Sequence, residues 1–212
     1  MQSLFITATN TNVGKTYTTL KLIEAFSSRG FSVGVYKPIE TGVSHTAPDA
    51  TILLEACKKV NESFKNFSTT DITAYTFTLP AAPFCADTEQ IIEIDKIIKK
   101  YKKLSKLCDI LLIEGAGGLH VPITKNFHMI DLIQQLNIKT LLVTPSRLGC
   151  INDTLLSIEA LKSRDIDFDW CVNIYEDKDD FSKVTQPYYD AAFPKWWCIE
   201  EKLQRFISTY TI

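Results

Sequence analysis

Two lysines and one glutamate in this chain stand where apolar, strand-like runs end. Lys15 lies in Gly14-Lys15-Thr16, after the run Leu4-Phe5-Ile6 and a loop of small residues, and before a helix-like stretch. Such a layout cradles phosphate, because loop N–H groups and the N-terminus of the next helix face one point and favour a polyanion there. Lys15 would reach the β- and γ-phosphates, and the Thr16 hydroxyl would ligate Mg²⁺. Lys37 ends the second apolar run, in Tyr36-Lys37-Pro38-Ile39-Glu40-Thr41-Gly42. Glu114 ends the third, ahead of Gly115-Ala116-Gly117-Gly118. Open α/β sheets bind ligands outside the carboxyl ends of their strands, so all three groups belong at one rim. Two ammonium groups at one rim repel unless an anion lies between them. A buried carboxylate is costly unless paired, and Mg²⁺ beside phosphates is a natural partner. The plain alternatives are a solvated lysine before a proline turn and a glutamate bonded to a local N–H.

Other segments carry weaker signals. The common phosphate loop places a glycine five residues before Gly14, where this chain has Thr9, preceded by Ala8. Gly14-Lys15-Thr16 and its strand–loop–helix context therefore carry the reading. Pro145 to Asp153 follows the fourth apolar run and leads into a helix. That helix N-terminus is a second anion site, better suited to a carboxylate than to a triphosphate. Asn152 or Asp153 could equally be its N-cap. Asp49 opens the helix after Thr41-Gly42, and its carboxylate could reach Mg²⁺ or cap that helix.

The elements that must hold these groups follow from pattern. Continuous apolar character predicts strands at Leu4–Ala8, Ser32–Lys37, Ile110–Glu114, Thr140–Thr144 and Trp170–Ile174, each buried on both faces. Helices are expected at Lys15–Ser28, Asp49–Val60, Ile91–Lys106, Met129–Leu136 and Asn152–Lys162. The alternation predicts an α/β fold over residues 1–212 as a single P-loop domain, a doubly wound and mostly parallel sheet with helices on both faces. Within the lysine-rich run 96–103, Ile94, Ile97, Ile98, Tyr101 and Leu104 recur at helical spacing, so the lysines are the wet face of a helix. Asp177–Pro187 is polar and reads as a loop. The last stretch, with Trp196 and Trp197, is expected to dock as a C-terminal element.

Composition excludes several classes. A net charge of −2 gives no reason to expect a nucleic-acid surface. No run of about 18 apolar residues suggests a membrane span, and the N-terminus lacks the pattern of a signal peptide. The six cysteines form no CxxC pair, which points to free thiols in a reducing cytoplasm. The three histidines show no ligand spacing.

The ordered set Thr9 to Thr16, Tyr36-Lys37-Pro38, Glu114-Gly115-Ala116-Gly117-Gly118 and Leu148-Gly149-Cys150-Ile151-Asn152 resembles the dethiobiotin synthetase family of biotin synthesis. Tyr75-Thr76-Phe77 and Pro83 add to the match, which covers roughly residues 1–175. The resemblance implies a cytoplasmic homodimer acting on 7,8-diaminopelargonic acid, CO₂ and ATP with Mg²⁺, and binding neither nucleic acid nor membrane. It implies catalytic roles for Lys37, Lys15 and Thr41, and Mg²⁺ ligation by Thr16, Asp49 and Glu114. It implies nucleotide contacts from Thr11, Asn12, Val13, Gly14, Lys15, Thr16, Tyr17, Glu114, Gly117 and Asn173. The substrate would meet Thr41 and, through its carboxylate, Gly149, Cys150, Ile151 and Asn152, reached across the dimer. The chain after about residue 175 departs from the family and looks short, so the grip on the nucleotide base is expected to be loose. The alternative is a partitioning or positioning ATPase of the same deviant loop class, acting on protein, DNA or membrane. Such switches carry an early loop lysine where this chain has Thr9. Amide ligases of cobalamin-type pathways usually add a glutamine-hydrolysing domain, for which 212 residues leave no room.

Overall fold

The computed structural model describes residues 2–211. Its strands are β1 (Gln2–Ala8), β2 (Val33–Tyr36), β3 (Ile39–Thr41), β4 (Tyr75–Phe77), β5 (Ile110–Gly118), β6 (Pro122–Thr124), β7 (Phe127–His128), β8 (Lys139–Pro145) and β9 (Phe168–Asn173). The α-helices are α1 (Lys15–Ser28), α2 (Pro48–Lys58), α3 (Thr69–Ile72), α4 (Pro83–Ala86), α5 (Ile94–Leu104), α6 (Met129–Leu136), α7 (Cys150–Ser163), α8 (Lys178–Val184), α9 (Gln186–Ala192) and α10 (Ile199–Ile207). The central sheet runs β2-β5-β1-β8-β9, and every pairing in it is parallel. This is the α/β architecture expected from the apolar runs.

The apolar runs explain the order. Leu4, Phe5 and Ile6 of β1 and Ile110 to Ile113 of β5 are all 0% exposed, as strands covered on both faces must be. Each such side chain contributes roughly 1.5–3 kcal/mol of transfer free energy. Together they fix the register Phe5↔Ile113 and Ile6↔Glu114, which puts the end of β1 beside Glu114. The pairing of β2 with β5 adds Tyr36↔Ile113, which brings Lys37 to the same edge. In α5, Ile97 and Leu104 are buried while Ile94 and Tyr101 pack at the core margin, so Lys96, Lys99, Lys102 and Lys103 face water as expected, whereas half-buried Lys100 donates to the Thr70 and Thr73 carbonyls.

Several boundaries differ from the expectation, each for a local reason. β5 runs on through Gly115–Gly118, beyond the expected strand end at Glu114. A Cβ at Gly115 would sit 2.9 Å from the Phe5 ring, and one at Gly118 2.9 Å from the Thr9 carbonyl, so glycine lets β5 lie against β1 to its end. The helix expected from Ile91 starts at Ile94, because the Asp87 carboxylate takes the N–H groups of Ile91 and Ile92 in a turn. The expected loop 177–187 is instead α8 and the start of α9. Phe181 and Tyr189 anchor those helices in a second apolar cluster with Cys150, Val172 and Cys198, and that packing overrides the polar composition. The short pairs β3–β4 and β6–β7 span two or three residues per strand, too few to show a period. The C-terminal stretch docks on the edge strand: the Val172 N–H donates to the Trp197 carbonyl at 2.9 Å. Among the described residues no helix is long and apolar enough to cross a membrane.

Candidate active site

The loop between β1 and α1 closes over the carboxyl end of the sheet. Asn12 (φ 60°) and Gly14 (φ 99°) adopt the left-handed conformation there. At Gly14 this is obligatory twice over, because a Cβ would lie 2.0 Å from the Asn173 amide nitrogen. Asn173, at the end of β9, donates that same nitrogen to the Val13 carbonyl at 3.0 Å. The Tyr175 hydroxyl donates to the Asn12 carbonyl. The loop is thus held from the β9 side before any ligand arrives.

Lys15 opens α1 and is 7% exposed. Its Nζ donates to the Asn10 carbonyl at 3.1 Å and, among the described residues, has no carboxylate within salt-bridge distance. Burial pushes its amine down to about 8 from the usual 10.5, and the nearby Lys37 charge pushes the same way, against the pull of Glu114 and Asp49. A buried cation without an ion-pair partner is a standing invitation to an anion.

Lys37 is the opposite case. Its Nζ lies 2.7 Å from Glu114 Oε1 and 2.8 Å from Asp49 Oδ2. Burial would lower its basicity, but the two carboxylates outweigh that and raise it above the ordinary lysine value. Asp49, which burial would raise, is held below the usual carboxylate range, chiefly by Lys37. The Thr16 hydroxyl lies 2.9 Å from Glu114 Oε1 and 3.2 Å from Asp49 Oδ1. Thr19 donates to Glu114 Oε2 at 2.8 Å. The result is one knot of charge at the foot of the loop.

Above the knot opens a cleft of about 690 Å³. Thr11, Asn12, Gly14, Lys15, Thr16, Lys37, Thr41, Asp49 and Gly117 line it, facing a wall of Pro80 to Pro83. Glu114 lies beneath, fully buried. Val13 turns its side chain to the core and Tyr17 is exposed on α1. Asp49 does not cap α2: Ala47 is the N-cap, and the Asp49 carboxylate turns to Lys37 and Thr16. The capping is done by Glu40, which sequence reasoning passed over. Its two oxygens take the N–H groups of Asp49 and Ala50 at 2.8 and 2.9 Å, and burial raises its carboxyl above the usual range. An acid nine residues ahead of the first N–H it caps has no local signature.

Gly149 to Asn152 do not line this cleft. Gly149 (φ 90°) is the N-cap of α7, so neither Asn152 nor Asp153 fills that role. Asp153 pairs instead with Arg147 at 2.7 Å. The Cys150 side chain is buried in the second cluster, Ile151 is half-buried and Asn152 exposed. All six cysteines are free.

Residues 2–175 match a family model described as an AAA domain. The ATP-dependent dethiobiotin synthetase BioD of Sulfurovum sp. (strain NBC37-1) is 68% identical over 206 residues, spanning 97% of this chain and 98% of the relative. This chain belongs to the ATP-dependent dethiobiotin synthetases. The dethiobiotin synthetase of Wolinella succinogenes is 35% identical over 212 residues, 99% of this chain and 98% of its own. Both relatives align over nearly all of this chain, while the family model stops at residue 175, where the departure from the family was expected to begin. The enzyme is therefore an ATP-dependent ligase of biotin biosynthesis. Among solved structures, a plasmid partition protein of Borrelia burgdorferi superposes with a TM-score of 0.61 at 10% identity, covering 99% of each chain. The MinC:MinD cell division protein complex of Aquifex aeolicus matches with a TM-score of 0.56 at 19% identity, over 99% of this chain and 86% of that one. Those likenesses place this synthetase in the fold of P-loop ATPases and reach no further.

Proposed function

We propose that the cleft joins CO₂ to 7,8-diaminopelargonic acid and closes the ureido ring by phosphorylating the carbamate. The observation that supports this most is the convergence of Lys15 and Lys37 at one rim beside buried Glu114. One amine of the diamine, in its neutral form, attacks CO₂ and loses a proton to give the carbamate. A carbamate oxygen then attacks the γ-phosphorus and ADP leaves, forming a carbamic–phosphoric anhydride. The second amine, in its neutral form, attacks the carbamate carbon and loses a proton, and phosphate departs as the ring closes. Phosphoryl transfer of this kind needs positioning and charge neutralisation rather than covalent help. Lys15 neutralises the β- and γ-phosphates. Lys37 neutralises the carbamate and the phosphoryl group as the bond between them forms, and the Thr41 hydroxyl donates a hydrogen bond there. Thr11, Asn12 and Gly117 shape the phosphate path.

The donor set fits Mg²⁺. The Thr16 hydroxyl lies within 3.2 Å of a carboxylate oxygen of Asp49 and one of Glu114, so hard oxygen ligands of the kind this ion selects gather there. Thr16, Asp49 and Glu114 would hold the ion, which would supply positive charge to offset that of the phosphates. We also propose that the substrate carboxylate binds the N-terminus of α7, with Gly149, Cys150, Ile151 and Asn152, on a second copy of the chain. Their separation from this chain's own cleft supports a homodimer.

The test is direct. Protein, MgATP, bicarbonate and the diamine are mixed, and dethiobiotin is sought by mass spectrometry with ADP and phosphate counted. One of each per dethiobiotin, lost on chelation with EDTA, is expected. ADP formed without dependence on the diamine would refute the proposal.

A further inference from the structure

The hydroxyl of Tyr189 is buried among apolar rings yet reaches past them to the first turn of α7. Tyr189, on α9, is 0% exposed. Its ring sits edge-on to Trp170 at 5.1 Å and against Trp196 at 5.9 Å. Packing alone would be served as well by phenylalanine, and a buried hydroxyl is costly unless it is bonded. Here it is bonded to α7, lying 3.0 Å from Thr154 Oγ1 and 3.5 Å from Cys150 Sγ. Proton counting orders the network. Thr154 donates its only hydroxyl proton to the Cys150 carbonyl at 2.6 Å, so Thr154 Oγ1 accepts from its neighbours. Thr144, at the end of β8, lies 2.5 Å from the same oxygen. The first turn of α7 is thereby tied to β8 on one side and to the C-terminal helices on the other.

That turn holds the N–H groups assigned above to the substrate carboxylate. The Cys150 N–H is spent on the Arg147 carbonyl and the Asp153 N–H on that of Gly149. Ile151 and Asn152 keep their N–H groups free of partners among the described residues. A pair of donors aimed at one carboxylate works only if the turn carrying them is held still. We infer that Tyr189 and Thr154 are positioning residues, which fix the first turn of α7 so that its free N–H groups meet the carboxylate of the diamine. The C-terminal segment then acts as a backing plate for substrate recognition and is not a mere appendage. This rests on the reading of α7 as the carboxylate site.

The experiment uses the full chain, with bicarbonate and the second substrate saturating. Tyr189→Phe and Thr154→Val each remove one hydroxyl while keeping shape, and Thr154→Ser keeps the hydroxyl. For Tyr189→Phe and Thr154→Val, KM for the diamine should rise about 5- to 10-fold, the effect of one loosened hydrogen bond. KM for MgATP and kcat should stay within about twofold, and Thr154→Ser should match the parent. An unchanged diamine KM, or diamine and ATP KM rising together as for general damage, would overturn the inference. Gly149→Ala separates it from its foundation, since a side chain at φ 90° distorts the turn directly. If Gly149→Ala raises the diamine KM and Tyr189→Phe does not, the positioning role falls and the carboxylate site stands. If Gly149→Ala leaves that KM unchanged, the site falls and takes the inference with it.

Discussion

Replacing Lys37 by methionine removes one positive charge while nearly keeping the volume, so its effects report on charge. Lys37 is 3% exposed and Glu114 0%, with 2.7 Å between the bonded atoms. Leaving one member of such a buried pair alone costs about 3–5 kcal/mol. The lower end applies here, because Thr16 and Thr19 still donate to Glu114 and because Asp49, 40% exposed, keeps much of its hydration. About 3 kcal/mol in a chain of this size lowers Tm by roughly 6–12 °C. The sign with pH follows from the shifts. The Lys37 value is raised, so its contribution is complete below the unfolded value of 10.5 and lost as pH rises past it. The Asp49 value is lowered, so its contribution is present above the unfolded value of 3.8 and lost as pH falls through the folded one. The gap in Tm between parent and variant should therefore be full near neutrality and narrow only as pH falls below 3.8, as scanning calorimetry would show. Turnover, followed by phosphate release, should fall by about 10²–10³ because a donor to the developing charge is gone. A variant within threefold of the parent rate, or a Tm gap that ignores pH, would refute the electrostatic reading of Lys37.

Four further outcomes follow. With its amine held near 8, Lys15 loses charge in mildly alkaline solution, so MgATP affinity of the parent should fall between about pH 7 and 9, while Lys15→Met binds weakly and without that trend in calorimetry. Because the same depression makes protonated Lys15 oppose folding below 8, the nucleotide-free enzyme should gain stability from this group as pH rises from about 8 towards 10.5, seen as a Lys15-dependent part of the denaturant midpoint. Gly14→Ala meets both a forbidden φ and the Asn173 amide, so it should abolish nucleotide binding in a filter or calorimetric assay while the circular dichroism of the fold persists. The Asn173 amide nitrogen is committed to the Val13 carbonyl, which leaves less to read a base, so GTP should compete with ATP within about tenfold in a displacement assay.

The expectations that held were those resting on several residues pulling one way. Four apolar residues in a row at Ile110 to Ile113 admit little besides a doubly covered strand, and once β1, β2 and β5 are such strands, Lys15, Lys37 and Glu114 must share an edge. The places where the reading went astray are those where a single distant contact decides. Glu40 caps α2 across a long turn, and the free choice between capping and cleft for Asp49 was settled by that bond, since a helix end already satisfied by Glu40 releases the Asp49 carboxylate for Lys37 and Thr16. Likewise α8 and α9 are too polar to declare themselves, yet Phe181 and Tyr189 fold them against α7, a contact between residues 39 apart in the case of Tyr189 and Cys150. These are long-range bonds to backbone ends and to single hydroxyls, and local pattern carries no trace of them. Glu40 gives the point a measurable form. If it frees Asp49 by capping α2, Glu40→Ala should raise the Mg²⁺ concentration for half-maximal activity about fivefold, the effect of losing about one kcal/mol of helix cap at the residue proposed to meet the ion. The diamine KM, which the proposed carboxylate site assigns to α7, should not move. A Mg²⁺ requirement unaltered in a folded Glu40→Ala enzyme would show that Asp49 finds its place without the cap.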